Sequence, residues 1–243
     1  MTKLKLYRLI LGFLLSNNAW SAERIALLIA NTNTGQYSPL EDTTNIENSL
    51  KSLGFVVKKE TNANLMQMKR AIRHFNQEQD KAQIAFFYYA GSSIYQNGQY
   101  YLVPMEAIID NSFSIDIESI ALADIVNQDK KPASTLLITV LNTQQDDKKS
   151  ANNAKCHFYC YKPELSPNTL LAFANRDYRV KNDQHVYAQY LARYLLIPNI
   201  ELKRMFTDLG QEIKLNNYTQ SAVEYHNLNQ DWYLKSCLAN SSC

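Results

Sequence analysis

Glycine and proline are scarce, six of each in 243 residues. Long disordered linkers, which are rich in such residues, are therefore not expected. No internal repeat and no low-complexity block interrupts the chain, so it is not an array of small units. No single sign of charge dominates. The apparent net charge of +2 comes from 25 Lys+Arg against 23 Asp+Glu, and three of the basic residues, Lys3, Lys5 and Arg8, lie at the extreme N-terminus. Without residues 1–22 the count is 25 − 3 = 22 basic against 23 acidic residues, a net charge of −1. That balance gives no basis for nucleic-acid binding. Cysteine is absent from the first half; all four, Cys156, Cys160, Cys237 and Cys243, come late. The sixteen tyrosines serve cores and binding surfaces equally well and decide nothing.

The basic N-terminus is followed by an apolar run over 9–15 and by the small residues Ala19, Ser21 and Ala22. Charged, then apolar, then small is the order of a secretory signal peptide. The run is shorter than the about 20 residues of a membrane-spanning helix. The reading is a signal peptide over 1–22, cleaved near Ser21 or Ala22, and one domain over 23–243. The mature chain would be exported, periplasmic or secreted, with no stable membrane span. In such a compartment an even cysteine count points to disulfides. Four cysteines allow three pairings, and both local bridges and a tail stapled to the 150s remain open. A zinc site would need a tetrahedral set; His157 lies between two cysteines, but the spacing matches no common zinc motif. No other motif asks for a metal or a cofactor.

Hydrophobic periodicity supplies the organisation. "RIALLIAN" (24–31) reads as a buried strand. Ile46, Leu50 and Leu53 recur at helical spacing, and Gly54 stands where a helix end favours a left-handed residue. "FVVKK" (55–59) is a second strand. Leu65, Met68, Ile72 and Phe75 form a second helical stripe behind Asn64 as N-cap. "IAFFYYA" (84–90) is apolar on both faces, as in the middle of a helix-covered parallel sheet. Asn97-Gly98 predicts a hairpin. Ile117, Ile120, Ala121 and Ile125 predict a third helix. "STLLITVL" (134–141) and "NTLLAFAN" (168–175) are further buried strands. Tyr187, Leu191, Tyr194 and Leu195 predict a helix that Pro198 stops. Asn199 is placed to cap a last helix bearing Leu202, Phe206, Leu209 and Ile213. Strands alternating with helices predict an α/β domain with right-handed crossovers. Its working residues belong in loops beyond the carboxyl ends of the strands, here 31–42, 91–95 and 142–155.

Five segments in order carry a family resemblance: "RIALLIANTNTGQYSPLEDTTNIENSLKSLGFVV", "FFYYAGSSIYQNGQYYLVP", "TLLITVLNTQQDD", "TLLAFANRD" and "NLNQDWYLK". From Arg24 to about Leu234 the chain resembles the caspase-like cysteine peptidases, in particular bacterial relatives of metacaspases. The resemblance implies a three-layer α/β/α sandwich with a mostly parallel central sheet, and cysteine endopeptidase ancestry. It also implies where the chemistry should sit. The family's general-base histidine falls on Ser92, after Gly91, and the glycine that follows falls on Ser93. The nucleophilic cysteine falls on Gln144. The acid two residues before it, which helps bind a basic substrate side chain, falls on Asn142.

Cysteine attack needs a thiolate, favoured by a neighbouring imidazole. Gln144 offers neither thiol nor charge, and Ser92 has no evident base. The expectation is a pseudopeptidase that binds a peptide or protein partner in the former cleft, or regulates an active relative. Asp177 and Asp183 fall near a second specificity acid of the resembled family. The run "DDKK" (146–149) reads as solvated charge, not as a self-processing site. Two alternatives differ in kind: an active peptidase using Cys156 or Cys160 with His157, and a purely structural domain with a closed cleft. His74, His185 and His226 read as surface or packing residues.

Overall fold

The computed structural model describes residues 23–32, 39–127, 132, 134–145, 161–175, 185–216 and 220–237. The first strand, β1 (Arg24–Ala30), leads into α1 (Pro39–Ser52), and the chain returns as β2 (Val56–Thr61). Gly54 makes the turn between them at φ +81, where a side chain would be strained. Helix α2 (Leu65–Gln79) then leads to β3 (Ile84–Gln96). Asn64 caps α2 in a reciprocal box: its side chain accepts from Gln67 N, and Gln67 Oε1 accepts from Asn64 N. Asn97 and Gly98, both at positive φ, turn β3 back into β4 (Gln99–Leu102).

There follow α3 (Ser112–Glu118), β5 (Ile120–Ala121), α4 (Ala123–Val126), β6 (Leu136–Gln145), β7 (Thr169–Asn175), α5 (Val186–Tyr194), α6 (Leu202–Leu215) and β8 (Ser221–Asn227). The sheet order is β2-β1-β3-β6-β7-β8, with β4 hydrogen-bonded to β3 and β5 to β4. The β2-β1-β3-β6-β7 pairings are parallel; β4, β5 and β8 join antiparallel. The architecture is the α/β sandwich expected, with helices on both faces of a mostly parallel sheet.

Handedness sets the layers. From β1 the chain steps one way to β2 and then crosses back to β3, so right-handed crossovers put α1 and α2 on opposite faces. One face packs β3 residues Phe86, Tyr88 and Ala90 with α1, α5 and α6. The other packs Ala85, Phe87 and Tyr89 with α2 and α4. Phe86, Phe87, Tyr88 and Tyr89 are fully buried, which explains the unbroken apolar run. Burial of each large apolar side chain contributes about 1.5–3 kcal/mol.

Two sequence expectations need correction. The third helix is broken: Ser119 is extended, Ile120 and Ala121 pair with β4, and only then does the short α4 begin. Ile120 is buried by that pairing, whereas Ile117 remains 48 % exposed. The second correction is Asn199, which does not cap α6. Glu201 does, accepting from Lys203 N and Arg204 N. Asn199 instead adopts φ +56, and its Oδ1 accepts from Cys237 N at 2.9 Å, tying the C-terminal segment down.

Candidate functional site

The carboxyl ends of β3 and β6 form the centre of the site. These two strands continue past their neighbours, and their register pairs Ala90 with Asn142, Ser92 with Gln144 and Ser93 with Gln145. Strand alternation puts Ser92, Asn142 and Gln144 on the α1/α5 face, and Gly91, Ser93 and Thr143 on the α2 face. Ser92 and Gln144 are half-buried neighbours across the ladder. They are joined through the strands alone; no hydrogen bond links their side chains.

The residues around them are tied down. Ser93 is fully buried, and its hydroxyl donates to Thr143 Oγ1 at 3.0 Å. Asn142, also fully buried, donates from Nδ2 to the Tyr88 hydroxyl at 3.0 Å and accepts from Gln220 Nε2 at 3.1 Å. Gln220 Oε1 in turn accepts from Tyr187 N at 3.0 Å, at the start of α5. This relay of neutral amides fastens the tip of β6 to the first turn of α5. Burial pushes the Tyr187 phenol well above its ordinary range, with Glu224 adding to the effect.

Gly91 has its own reason for being glycine. The Tyr89 ring folds back over it, so a Cβ there would stand 2.5 Å from the phenolic oxygen. That oxygen lies 2.7 Å from the Val103 carbonyl and 3.0 Å from the Ser92 carbonyl. Burial raises the phenol far above its usual value, so it stays protonated and donates. The Ser92 carbonyl also accepts from Val103 N at 3.0 Å. This stretch of β3 is thus held by its backbone, with the Ser92 side chain half-buried.

The sheet, its helical layers and the order of the segments agree with one comparison. A family model for the caspase domain matches residues 23–231. The chain belongs to the caspase domain family. Comparison with curated proteins gives no match.

Within this caspase domain, one pair escaped sequence reasoning. Asp42, in the first turn of α1, is buried, and its Oδ1 lies 2.7 Å from His185 Nδ1 at the N-terminus of α5. Both helices begin at the carboxyl edge of the sheet, so the pair stands beside the amide relay. The two residues are 143 positions apart, and no local motif announces them. The pair fixes α5 against α1. His74 lies on α2 with Lys58 Nζ about 3 Å from its ring nitrogens, and His226 lies in β8.

Of the remaining candidates, Cys156, His157, Cys160, Asp177, Asp183 and Cys243 lie outside the described residues, as do the run 146–149 and the proposed signal peptide. On the α1/α5 face lie Ser92, Asn142 and Gln144, with Gln220, which sequence reasoning did not single out; Ser93 and Thr143 meet on the opposite face.

Proposed function

We propose that this caspase domain is exported and has lost peptidase chemistry, acting by binding a peptide or protein partner or by regulating an active relative. The observation that carries the reading is the rung pairing Ser92 with Gln144. Two side chains without imidazole, thiol or charge stand opposite each other at the central strand tips. Nothing at that rung can generate a thiolate, and an unassisted serine hydroxyl is a weak nucleophile. The neighbouring acid of the family pattern is replaced by Asn142, whose amide is already engaged by Tyr88 and Gln220. A basic substrate side chain finds no carboxylate in that relay.

Export rests on the charged, apolar and small-residue order of residues 1–22. Disulfides belong to the same reading. Four cysteines in an oxidising compartment support it.

The test uses purified mature protein with fluorogenic arginine, lysine and aspartate peptides. The expected result is no turnover above buffer for the native chain and for Cys156→Ala and Cys160→Ala. Turnover by the native protein that either alanine abolishes would overturn the reading in favour of a shifted cysteine. The Ser92→His, Gln144→Cys double variant shows in the same assay whether the tips alone suffice for catalysis.

A further inference from the structure

Among the described residues, the sheet ends at β2 on the side opposite β8. The outer edge of an end strand presents unpaired N–H and C=O groups. Here it does so beside a groove. Helix α2 packs over β1 and leaves β2 half covered, so that Val56 is 56 % exposed. Between them lies a cavity of about 330 Å³, in the range of small ligand sites. Ile25, Leu27 and Phe75 contribute to its apolar lining.

The rim of the groove is charged. Val56, Lys58 and Glu60 alternate along β2 on the groove side. Arg70, His74 and Glu78 face them from α2. Among the described residues Lys58 has an imidazole, that of His74, as its partner and no carboxylate. Arg70 makes no ion pair among the described residues. On the acidic side, Glu78 has Lys81 at 3.9 Å, and among the described residues Glu60 has no cation. Lys58, Arg70 and Lys81 thus stand against Glu60 and Glu78, an excess of one positive charge, and the groove favours a ligand carrying negative charge.

A second copy pairing antiparallel through β2 would centre on Lys58 or on Lys59 and set that lysine against itself, and like charges directly opposite are destabilising. A register centred on Lys59 also sets Lys58 against Glu60, so self-association is the competing outcome, read by sedimentation of the intact protein. We propose that the α2/β2 groove docks an extended acidic peptide that adds a strand to β2. One of its apolar side chains packs beside the exposed Val56 at the mouth of the groove, and a carboxylate two residues along meets Lys58 and Arg70. This is strand addition, in which backbone pairing supplies affinity and alternate side chains supply selectivity. It is independent of the strand tips at Ser92 and Gln144.

The probe is fluorescein-labelled Thr-Val-Thr-Leu-Thr-Asp-Thr, titrated by fluorescence anisotropy against the intact mature protein. Three comparisons accompany it: the same peptide with lysine for aspartate, the same peptide with N-methylated backbone amides, and the Lys58→Glu, Arg70→Glu double variant. The expected result is saturable binding to the native protein, at least about tenfold weaker in each comparison, with Gln144→Ala unchanged. The charge variants lie on the surface, and unchanged far-UV circular dichroism confirms that they fold. Ala71→Trp, which fills the groove, is expected to abolish binding independently of charge. No saturation up to about 1 mM, equal affinity for the lysine peptide, indifference to N-methylation, or full binding by the double variant or by Ala71→Trp would each overturn the proposal.

Discussion

At the scale of single residues, neighbouring positions in the site carry very different loads. Asn142 is fully buried and bonded at both ends of its amide, whereas Gln144, two residues on, is half-buried with no side-chain bond to its cross-strand neighbour. Asn142→Leu strands the Gln220 amide in the interior, which costs about 1–3 kcal/mol. Gln144→Ala stays within about 0.5 kcal/mol of the native protein. Urea unfolding of the two variants measures the contrast, and equal losses would contradict the relay. Gly91→Ala drives a methyl group into the Tyr89 phenol and is expected to cost about 1–3 kcal/mol. Adding Tyr89→Phe removes the contact at 2.5 Å but leaves ring carbons at 2.8 and 3.2 Å, so rescue is partial. Sequence reading reached Gly91, Ser92, Ser93, Asn142 and Gln144 through the resemblance to caspase-like peptidases, whose motif positions fall on them at the ends of two apolar runs. It missed Gln220 and the Asp42–His185 pair, which meet only after β8 and α5 have been folded back onto the first half of the domain.

At the scale of elements, local chemistry was legible wherever a boundary is set within a few residues. Asn64 and Gln67 cap α2 by the reciprocal bonds expected of an Asn-x-x-Gln start, and Asn97-Gly98 turns the hairpin. Asn64→Ala is expected to lower stability by about 1 kcal/mol, read as a lower midpoint of thermal or urea unfolding with an unchanged urea m-value. Legibility failed where tertiary pairing outweighs periodicity. Residues 117–125 have helical spacing, yet Ile120 gains more from burial beside β4 than from another helical turn. Asn199 has the right chemistry for a cap, but its side chain is used by Cys237 N and Cys237 O.

For the whole molecule, the abundant tyrosines set a limit in alkali. Tyr100, Tyr161, Phe173 and Tyr225 form a cluster, with the Tyr100 and Tyr161 rings 5.1 Å apart and edge-on. Burial pushes Tyr161 up to about 12 and carries Tyr89, Tyr100 and Tyr187 further. A phenol whose pKa is raised by folding contributes stability that is complete below its unfolded value of about 10 and is lost as pH rises toward the folded value. Stability governed by these groups should therefore be flat from neutral pH to about 9 and fall steeply above about 10. Tyrosinate absorbance should then appear together with the loss of circular dichroism. Gradual ionisation in a folded chain would contradict the burial of the cluster. The layered fold itself was readable from the strand and helix periods, since the handedness of crossovers leaves few ways to arrange them.

The extra length of β3 and β6 bears on any attempt to reawaken this protein. Because the ladder runs through Ser92–Gln144 and on to Ser93–Gln145, the two tips are zipped together at the strand spacing of about 4.8 Å. A transplanted imidazole and thiol would stand on one face of adjacent strands, near enough to reach each other. The scaffold would thus set their spacing, and any carbonyl to be cleaved would have to approach from the open side of the tips.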